Sequence, residues 1–365
     1  MRLLYITDAL AVYGGIERVL VDKINWFVEH TDYKVYLLTV DQGLKDVFFP
    51  FHPKIEYDDL DIRFYRQYMS PKWRRPFLYY KLHQLFRQRL ENKLREISPD
   101  IIICTRIDYI RDIIKVKTFI PLVFESHSSC LSTFFDHDSL LRKVRIHYQK
   151  TAMKSIDMVV SLTQGDALEW KKITNKVVVI PNVVHLNQTG EYTNHSSRSI
   201  IYVGRDTEQK DLDSLLYIWK LVYQKHPECL LHIYGKTNRI ADGIVVNEPT
   251  CQMNDAYMNA SILLLTSLYE PFGLVLPEAM SYGVPVVAFD CPYGPSEIIT
   301  DGIDGFVIKD RDLMEFSNRI NQLIEDENLR VEMGKAGILS SQRYHADIIM
   351  PQWIKLFEKI IGDSI

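Results

Sequence analysis

Short apolar runs rich in β-branched residues alternate with longer amphipathic stretches along the whole chain. The first half offers RLLYITD (2–8), KVYLLTV (34–40), DIIICTR (100–106), PLVFESH (121–127), DMVVSLT (157–163) and KVVVIPN (176–182). The second half offers SIIYVGR (199–205), CLLHIYG (229–235), ASILLLTS (260–267) and VPVVAFD (284–290). Nearly continuous apolar strands separated by helical segments predict parallel sheets covered on both faces. After the first run, Ile16, Val19, Leu20, Ile24, Phe27 and Val28 recur at helical spacing. The polar stretch HLNQTGEYTNHSSR (185–198) has no periodicity and reads as a linker, after which the series restarts. The pattern predicts an α/β chain of two doubly wound, Rossmann-like domains, 1–184 and 199–342, facing each other across a cleft. Residues 343–365 form a terminal helix. Ligands of such sheets sit beyond the carboxyl ends of the strands.

Composition narrows the class. At 365 residues and 47% hydrophobic, the chain can build two cores. Its net charge of −4 argues against a nucleic-acid partner. The charge is uneven: residues 1–180 hold 28 Lys and Arg against 22 Asp and Glu, whereas 181–365 hold 15 against 25. Cys104, Cys130, Cys229, Cys251 and Cys291 are scattered with no CxxC pair, which predicts a reduced, cytoplasmic protein without a zinc site. The start MRLLYITDAL reads as a buried strand rather than a signal peptide. No apolar run approaches the ~18–20 residues of a membrane span.

Candidate chemistry clusters at strand ends. Gly14 and Gly15 precede the first helix, where glycine permits close approach of a ligand and free N–H groups suit a phosphate; a turn without ligand fits the pair equally. The pattern is not GxGxxG, which disfavours a dinucleotide site. Arg205 and Lys210 follow the strand SIIYVGR beside a helix start, as a diphosphate site requires or as two solvated cations. In YEPFGLVLPEAM (269–280), Glu270 lies in a loop after a strand and Glu278 about a turn into a helix. The amides of Phe272, Gly273, Leu274 and Val275 lie between them. Carboxylates so placed can accept hydrogen bonds from sugar hydroxyls; a capping acid plus a surface acid is the plainer account. His127 ends PLVFESH in a polar ESHSS stretch, as a site residue or a structural one. The DxD strings Asp59–Asp61, Asp136–Asp138, Asp211–Asp213 and Asp310–Asp312 follow no clear strand, so no metal is expected. Residues 63–95 carry ten Lys and Arg against one acid, Glu91, with aromatics interleaved. That stretch suits an anionic bilayer surface, nucleic acid, or plain solvent.

Taken jointly, these segments resemble the retaining glycosyltransferases of family 4, of GT-B architecture. The likeness runs through YGGIE, SLTQGDALEW, VIPNVV, VGR with Lys210, IYG, YEPFG with PEAMSYGVPVVAFD, and GPSEII with DGFVI. The E-x7-E element falls on Glu270 and Glu278. The resemblance implies that Arg205 and Lys210 neutralise the diphosphate of a nucleotide-sugar donor, by family habit UDP-linked. Glu278 would hold the ribose, Glu270 the transferred sugar, and the amides of 272–275 sugar and phosphate oxygens. Gly15 would close on the β-phosphate, and His127 would lie near the reacting sugar. No metal or other cofactor is implied. Asp211 follows Lys210 where the family usually shows glycine, which puts that loop's conformation in question. The implied reaction is hexosyl transfer with retention, giving an α-linkage to a glycan or lipid-linked glycan in surface polysaccharide biosynthesis, with the enzyme peripheral on the inner face of the cell membrane through 63–95. Alternatives are a nucleotide-sugar epimerase of the same architecture, a starch- or sucrose-type transferase, and a non-enzymatic binding module.

Overall fold

The computed structural model describes residues 1–11, 14–134, 140–250 and 252–362. Two compact units emerge. One comprises Met1–Leu162, Asp166–Ile180 and the stretch from Met350 on; the other comprises Thr163–Gly165 and Pro181–Ile349.

The first unit holds seven strands: β1 (Arg2–Thr7), β2 (Lys34–Thr39), β3 (Glu56–Asp59), β4 (Ile101–Cys104), β5 (Leu122–Glu125), β6 (Met158–Ser161) and β7 (Val177–Val179). They form one all-parallel sheet in the order β3-β2-β1-β4-β5-β6-β7. The central strands β1, β4 and β5 are almost wholly buried, as strands covered on both faces must be. The helix Gly15–His30 packs its apolar stripe inward, and the helix Arg75–Ile97 buries Leu82, Phe86, Leu90, Leu94 and Ile97. From the chain's far end, Phe357 packs on Phe27 with centroids 5.6 Å apart.

The second unit holds β8 (Ser199–Val203), β9 (Leu230–Tyr234), β10 (Ile244–Asn247), β11 (Ile262–Leu265), β12 (Val286–Phe289) and β13 (Gly305–Ile308), all parallel, in the order β10-β9-β8-β11-β12-β13. Three strands, β3, β10 and β13, fall outside the runs read from the sequence pattern. Strand β3 reads EYDD and lies at a sheet edge, where water takes one side. Strand β10 is likewise a half-exposed edge, and β13 opens on a glycine.

The segment 185–198, read as a linker, is bonded into the second unit. Asn187 N donates to Ser281 Oγ at 3.0 Å and Thr193 N to the Tyr282 carbonyl at 2.9 Å. Its polar side chains serve the backbone, so it lacks periodicity without being loose. The expectation that no DxD string follows a strand fails at Asp59, the last residue of β3. Its carboxylate accepts from Thr39 Oγ1 at 2.9 Å and from Gly43 N at 2.9 Å. Asp211 and Asp312 cap helices. Asp136–Asp138 and Cys251 lie outside the described residues; the other four cysteines are free and buried. Among the described residues, no group of three metal-ligating side chains forms, and no helix is long and apolar enough to cross a membrane.

Candidate active site

In the second unit, Glu270 and Lys210 meet. Glu270 follows β11 and is only 5% exposed, so its carboxyl group is withdrawn from water. Two groups offset that cost: the Lys210 ammonium forms an ion pair with its Oε1, and Ser267 Oγ donates to the same oxygen at 2.7 Å. The two loops are stitched as well. Leu268 N donates to the Gln209 carbonyl at 2.8 Å and Gln209 Nε2 to the Tyr269 carbonyl at 3.0 Å. The sequence reading assigned Lys210 to the diphosphate and Glu270 to the sugar as separate tasks. The structure makes them one charged cluster. Arg205 is exposed, and no carboxylate among the described residues pairs with it.

After Glu270 the chain turns through Gly273 at φ +97°, a conformation that favours glycine, into the short helix Val275–Ser281. Phe272 is buried against Tyr344, ring to ring at 5.2 Å. The turn passes so close to Gly294 that a Cβ there would lie 1.8 Å from the Phe272 carbonyl oxygen. The amides of Phe272, Gly273, Leu274 and Val275 donate to no acceptor among the described residues. Glu278 is half-buried, and Tyr257 OH donates to its Oε2 at 2.9 Å. Tyr257, 2% exposed, stacks on Tyr282 at 5.4 Å. Sequence reasoning missed Tyr257: nothing marks a tyrosine in NDAYM as a partner for an acid 21 positions on.

Asp211, the departure from the family's glycine, takes φ +47°, ψ +61°, the left-handed region that glycine occupies most readily. Its side chain compensates by accepting from Ser214 N at 3.2 Å and Ser214 Oγ at 2.6 Å, which caps the helix Leu212–Lys225. Arg311, also missed, pairs with the Asp211 carboxylate and donates to the carbonyls of Thr266 and Ser267, each at 3.1 Å. The loop bearing Lys210 and the strand end bearing Glu270 are thus held by one guanidinium.

In the first unit, His127 is 7% exposed and lies just past β5. Its Nε2 is 3.4 Å from Glu125 Oε1. That carboxylate also pairs with Lys23 of the helix Gly15–His30, both side chains 2% exposed. Trp353 lies over the Lys23 ammonium at 4.2 Å. Burial pushes the His127 pKa down from the usual histidine range; Glu125 opposes this and Lys23 adds to it. Burial likewise pushes Lys23 down, against Glu125. His127 is therefore a neutral imidazole at neutral pH, beside a buried ion pair that the sequence reading did not foresee. Gly14 takes an ordinary extended conformation as N-cap, and Gly15 opens the helix. Neither is shown to need glycine's positive φ.

Chains of known kind share both units. Residues 13–188 match the model described as Glycosyltransferase Family 4, and residues 188–339 that of Glycosyl transferases group 1. The amylovoran biosynthesis glycosyltransferase AmsD of Erwinia amylovora is 26% identical over 96% of this chain and 98% of its own length. The poly(ribitol-phosphate) alpha-N-acetylglucosaminyltransferase of Staphylococcus aureus is 27% identical over 61% of this chain, which spans 48% of that enzyme. Among solved structures, a TarM variant of S. aureus in complex with fondaparinux, alpha-GlcNAc-glycerol and UDP superposes with TM-score 0.79 at 15% identity, covering 98% of this chain and 99% of that one. Anabaena HepE in complex with UDP and glucose does so with TM-score 0.73 at 15% identity, covering 97% and 99%. These relatives do not favour the epimerase alternative. With both domain models matched from residue 13 to 339, the chain is a GT-B glycosyltransferase of family 4 type.

Proposed function

We propose that this chain transfers a hexosyl group with retention from a UDP-sugar to a glycan or lipid-linked glycan acceptor of a surface polysaccharide, forming an α-linkage. The observation that carries the reading is the Lys210–Glu270–Ser267 cluster at the carboxyl end of a parallel sheet. A buried carboxylate held on one oxygen keeps its other oxygen for a sugar hydroxyl. Arg205 and Lys210 supply two cations for the charge that grows on the leaving diphosphate, so the chemistry has no need of a metal. Glu278, oriented by Tyr257, takes the ribose hydroxyls in the E-x7-E arrangement. The acceptor oxygen attacks the anomeric carbon on the face the diphosphate leaves. The C–O bond to phosphate breaks, and a phosphate oxygen takes the acceptor's proton.

Glu270→Gln tests this. Glutamine keeps the hydrogen bond from Ser267 but loses the charge, so turnover should fall by roughly 100- to 1,000-fold. Donor binding should survive: a nucleotide sugar at ~100 times its Kd should still stabilise the protein by about 2.7 kcal/mol. Full turnover in Glu270→Gln, or no stabilisation of the unsubstituted protein by any nucleotide sugar in a panel, refutes the reading.

The membrane part of the proposal narrows. Arg87, Lys93 and Arg95 of the stretch 63–95 pair with acids, and Arg89 with carbonyls. Exposed Tyr68, Met69, Trp73, Phe77 and Tyr80 lie between residues 65 and 81 with Arg66, Lys72, Arg74 and Lys81. That segment is the one proposed to lie on the anionic inner face of the membrane.

A further inference from the structure

In the second unit, one guanidinium closes a ring of contacts around a single carboxylate oxygen, Glu270 Oε1. Arg311 pairs through NH2 with the Asp211 carboxylate and donates through NH1 to the Ser267 carbonyl at 3.1 Å. Asp211 is the chain neighbour of Lys210, whose ammonium pairs with Glu270 Oε1. The Ser267 hydroxyl donates to that same oxygen at 2.7 Å. The ring therefore runs from Arg311 to Asp211, Lys210, Glu270, Ser267 and back, with no direct bond between Arg311 and Glu270. Thr266 braces it from inside. Its hydroxyl lies 3.0 Å from the Lys210 carbonyl and 3.2 Å from that of Asp211, and its own carbonyl accepts from Arg311 NH2 at 3.1 Å. Phe289 lies under the guanidinium at 4.3 Å. The ring is held against backbone preference. Asp211, Asp310 and Arg311 take φ of +47°, +52° and +54°, the left-handed region that residues with a Cβ seldom enter. Such conformations persist where surrounding contacts over-determine them, and they gather at functional sites. A plain clip between two loops needs one ion pair. It does not need three left-handed residues and two routes that end on one oxygen.

We propose that Arg311 is a positioning residue of the transfer reaction: through Asp211 and the carbonyls of Thr266 and Ser267 it fixes where the Lys210 ammonium and the Ser267 hydroxyl meet Glu270, and so where the second carboxylate oxygen points. This rests on the transferase reading only in giving Glu270 a sugar to hold. The side chains of Arg311 and Asp211 are 31% and 17% exposed, and an ion pair so placed adds little to stability by itself. A displacement of about 1 Å at a reacting centre can cost about 100-fold in rate. The effect of Arg311 therefore falls on turnover more than on folding.

The test removes the guanidinium and reads the pair it does not touch. Lys210→Met and Glu270→Gln are combined in a double-variant cycle in the parent chain and again in Arg311→Met, with urea midpoints giving the coupling between them. At least half of the parent coupling should be lost in Arg311→Met, whereas a merely structural arginine would shift every midpoint alike and leave the coupling intact. Arg311→Lys keeps a charge for Asp211 but cannot fork to the carbonyls, so it should hold its midpoint and still lose part of the coupling. Asp211→Gly relieves its own strain but opens the same ring, so it too should lose coupling at a nearly unchanged midpoint. Release of UDP from UDP-glucose, UDP-galactose and UDP-N-acetylglucosamine is read in parallel. On whichever of these the parent turns over, Arg311→Met should lower kcat at least tenfold and change the donor KM by less than that, and Arg311→Lys should recover part of the loss. Coupling unchanged in both Arg311 variants, or kcat unchanged in Arg311→Met, overturns the proposal. A parent that releases UDP from none of the three, while the coupling falls in Arg311→Met, sinks the donor reading and leaves the positioning of the pair standing.

Discussion

Removing one half of the buried pair beside His127 should destabilise the first unit, and the two halves should do so with opposite dependence on pH. Lys23 and Glu125 are each 2% exposed at the side chain, and Glu125 Oε2 has no hydrogen-bond partner among the described residues. Breaking such a pair leaves an uncompensated buried charge, at a cost of about 3–5 kcal/mol. In Glu125→Gln the orphan is the Lys23 ammonium. Burial already lowers its pKa, and loss of the carboxylate lowers it further. The unfolded chain then binds more protons than the folded one, so stability rises with pH by up to ~1.4 kcal/mol per unit, between the depressed folded pKa and roughly 10.4. In Lys23→Met the orphan is Glu125. His127 loses a neighbour that holds its pKa down and keeps one that raises it, so its pKa climbs. Where it passes the unfolded value of about 6.5, the folded state binds more protons and stability falls as pH rises. The double variant should return to within ~1–2 kcal/mol of the parent or exceed it. Urea titrations from pH 6 to 9.5, followed by tryptophan fluorescence with Trp353 over the site, measure all three. Additive losses, or pH slopes of the same sign in the two single variants, would refute the reasoning.

Other substitutions separate geometry from chemistry. Asp211→Ala should cost about 2 kcal/mol, losing the cap while keeping the left-handed strain, whereas Asp211→Gly should stay within ~1 kcal/mol because it relieves the strain; urea midpoints compare them. Tyr257→Phe removes the hydroxyl that holds Glu278, so donor Kd should rise about fivefold, for ~1 kcal/mol, with turnover at saturation unchanged. Gly294→Ala drives a methyl into the Phe272 carbonyl and should cost about 3 kcal/mol in a melt of the second unit.

The fold's frame is legible because its central strands are buried on both faces and so must be apolar from end to end. The ten runs read from the pattern all became strands, while EYDD at β3 did not show itself, since an edge strand pairs by backbone alone. The site was legible in its charged residues and not in what holds them. Glu270 and Lys210 stand out, but their contact spans 60 positions, and Arg311 reaches Asp211 across 100. Periodicity carries no information at such separations. The buried lysine left a local trace. Lys23 sits four residues after Val19 and four before Phe27, on the stripe that Leu20 and Ile24 also define, so a charge was written onto an apolar face. Glu125 breaks the run PLVFESH in the same way.

Those two breaks in apolar pattern explain one another, and a third distant segment sets their strength. Lys23 comes from the first helix, Glu125 from the end of β5, and Trp353 from the helix Ala346–Gly362. Trp353 covers the ammonium at 4.2 Å and packs on Phe357, which in turn meets Phe27 one helical turn beyond Lys23. An ion pair is strong only where water is excluded, and it is tolerable there only if both charges are present. The indole shell supplies the first condition and the pairing the second. His127, 3.4 Å from the shared carboxylate, has its pKa lowered by burial and by Lys23 against the pull of Glu125, so residues about a hundred positions apart meet at one imidazole while Trp353 covers the lysine.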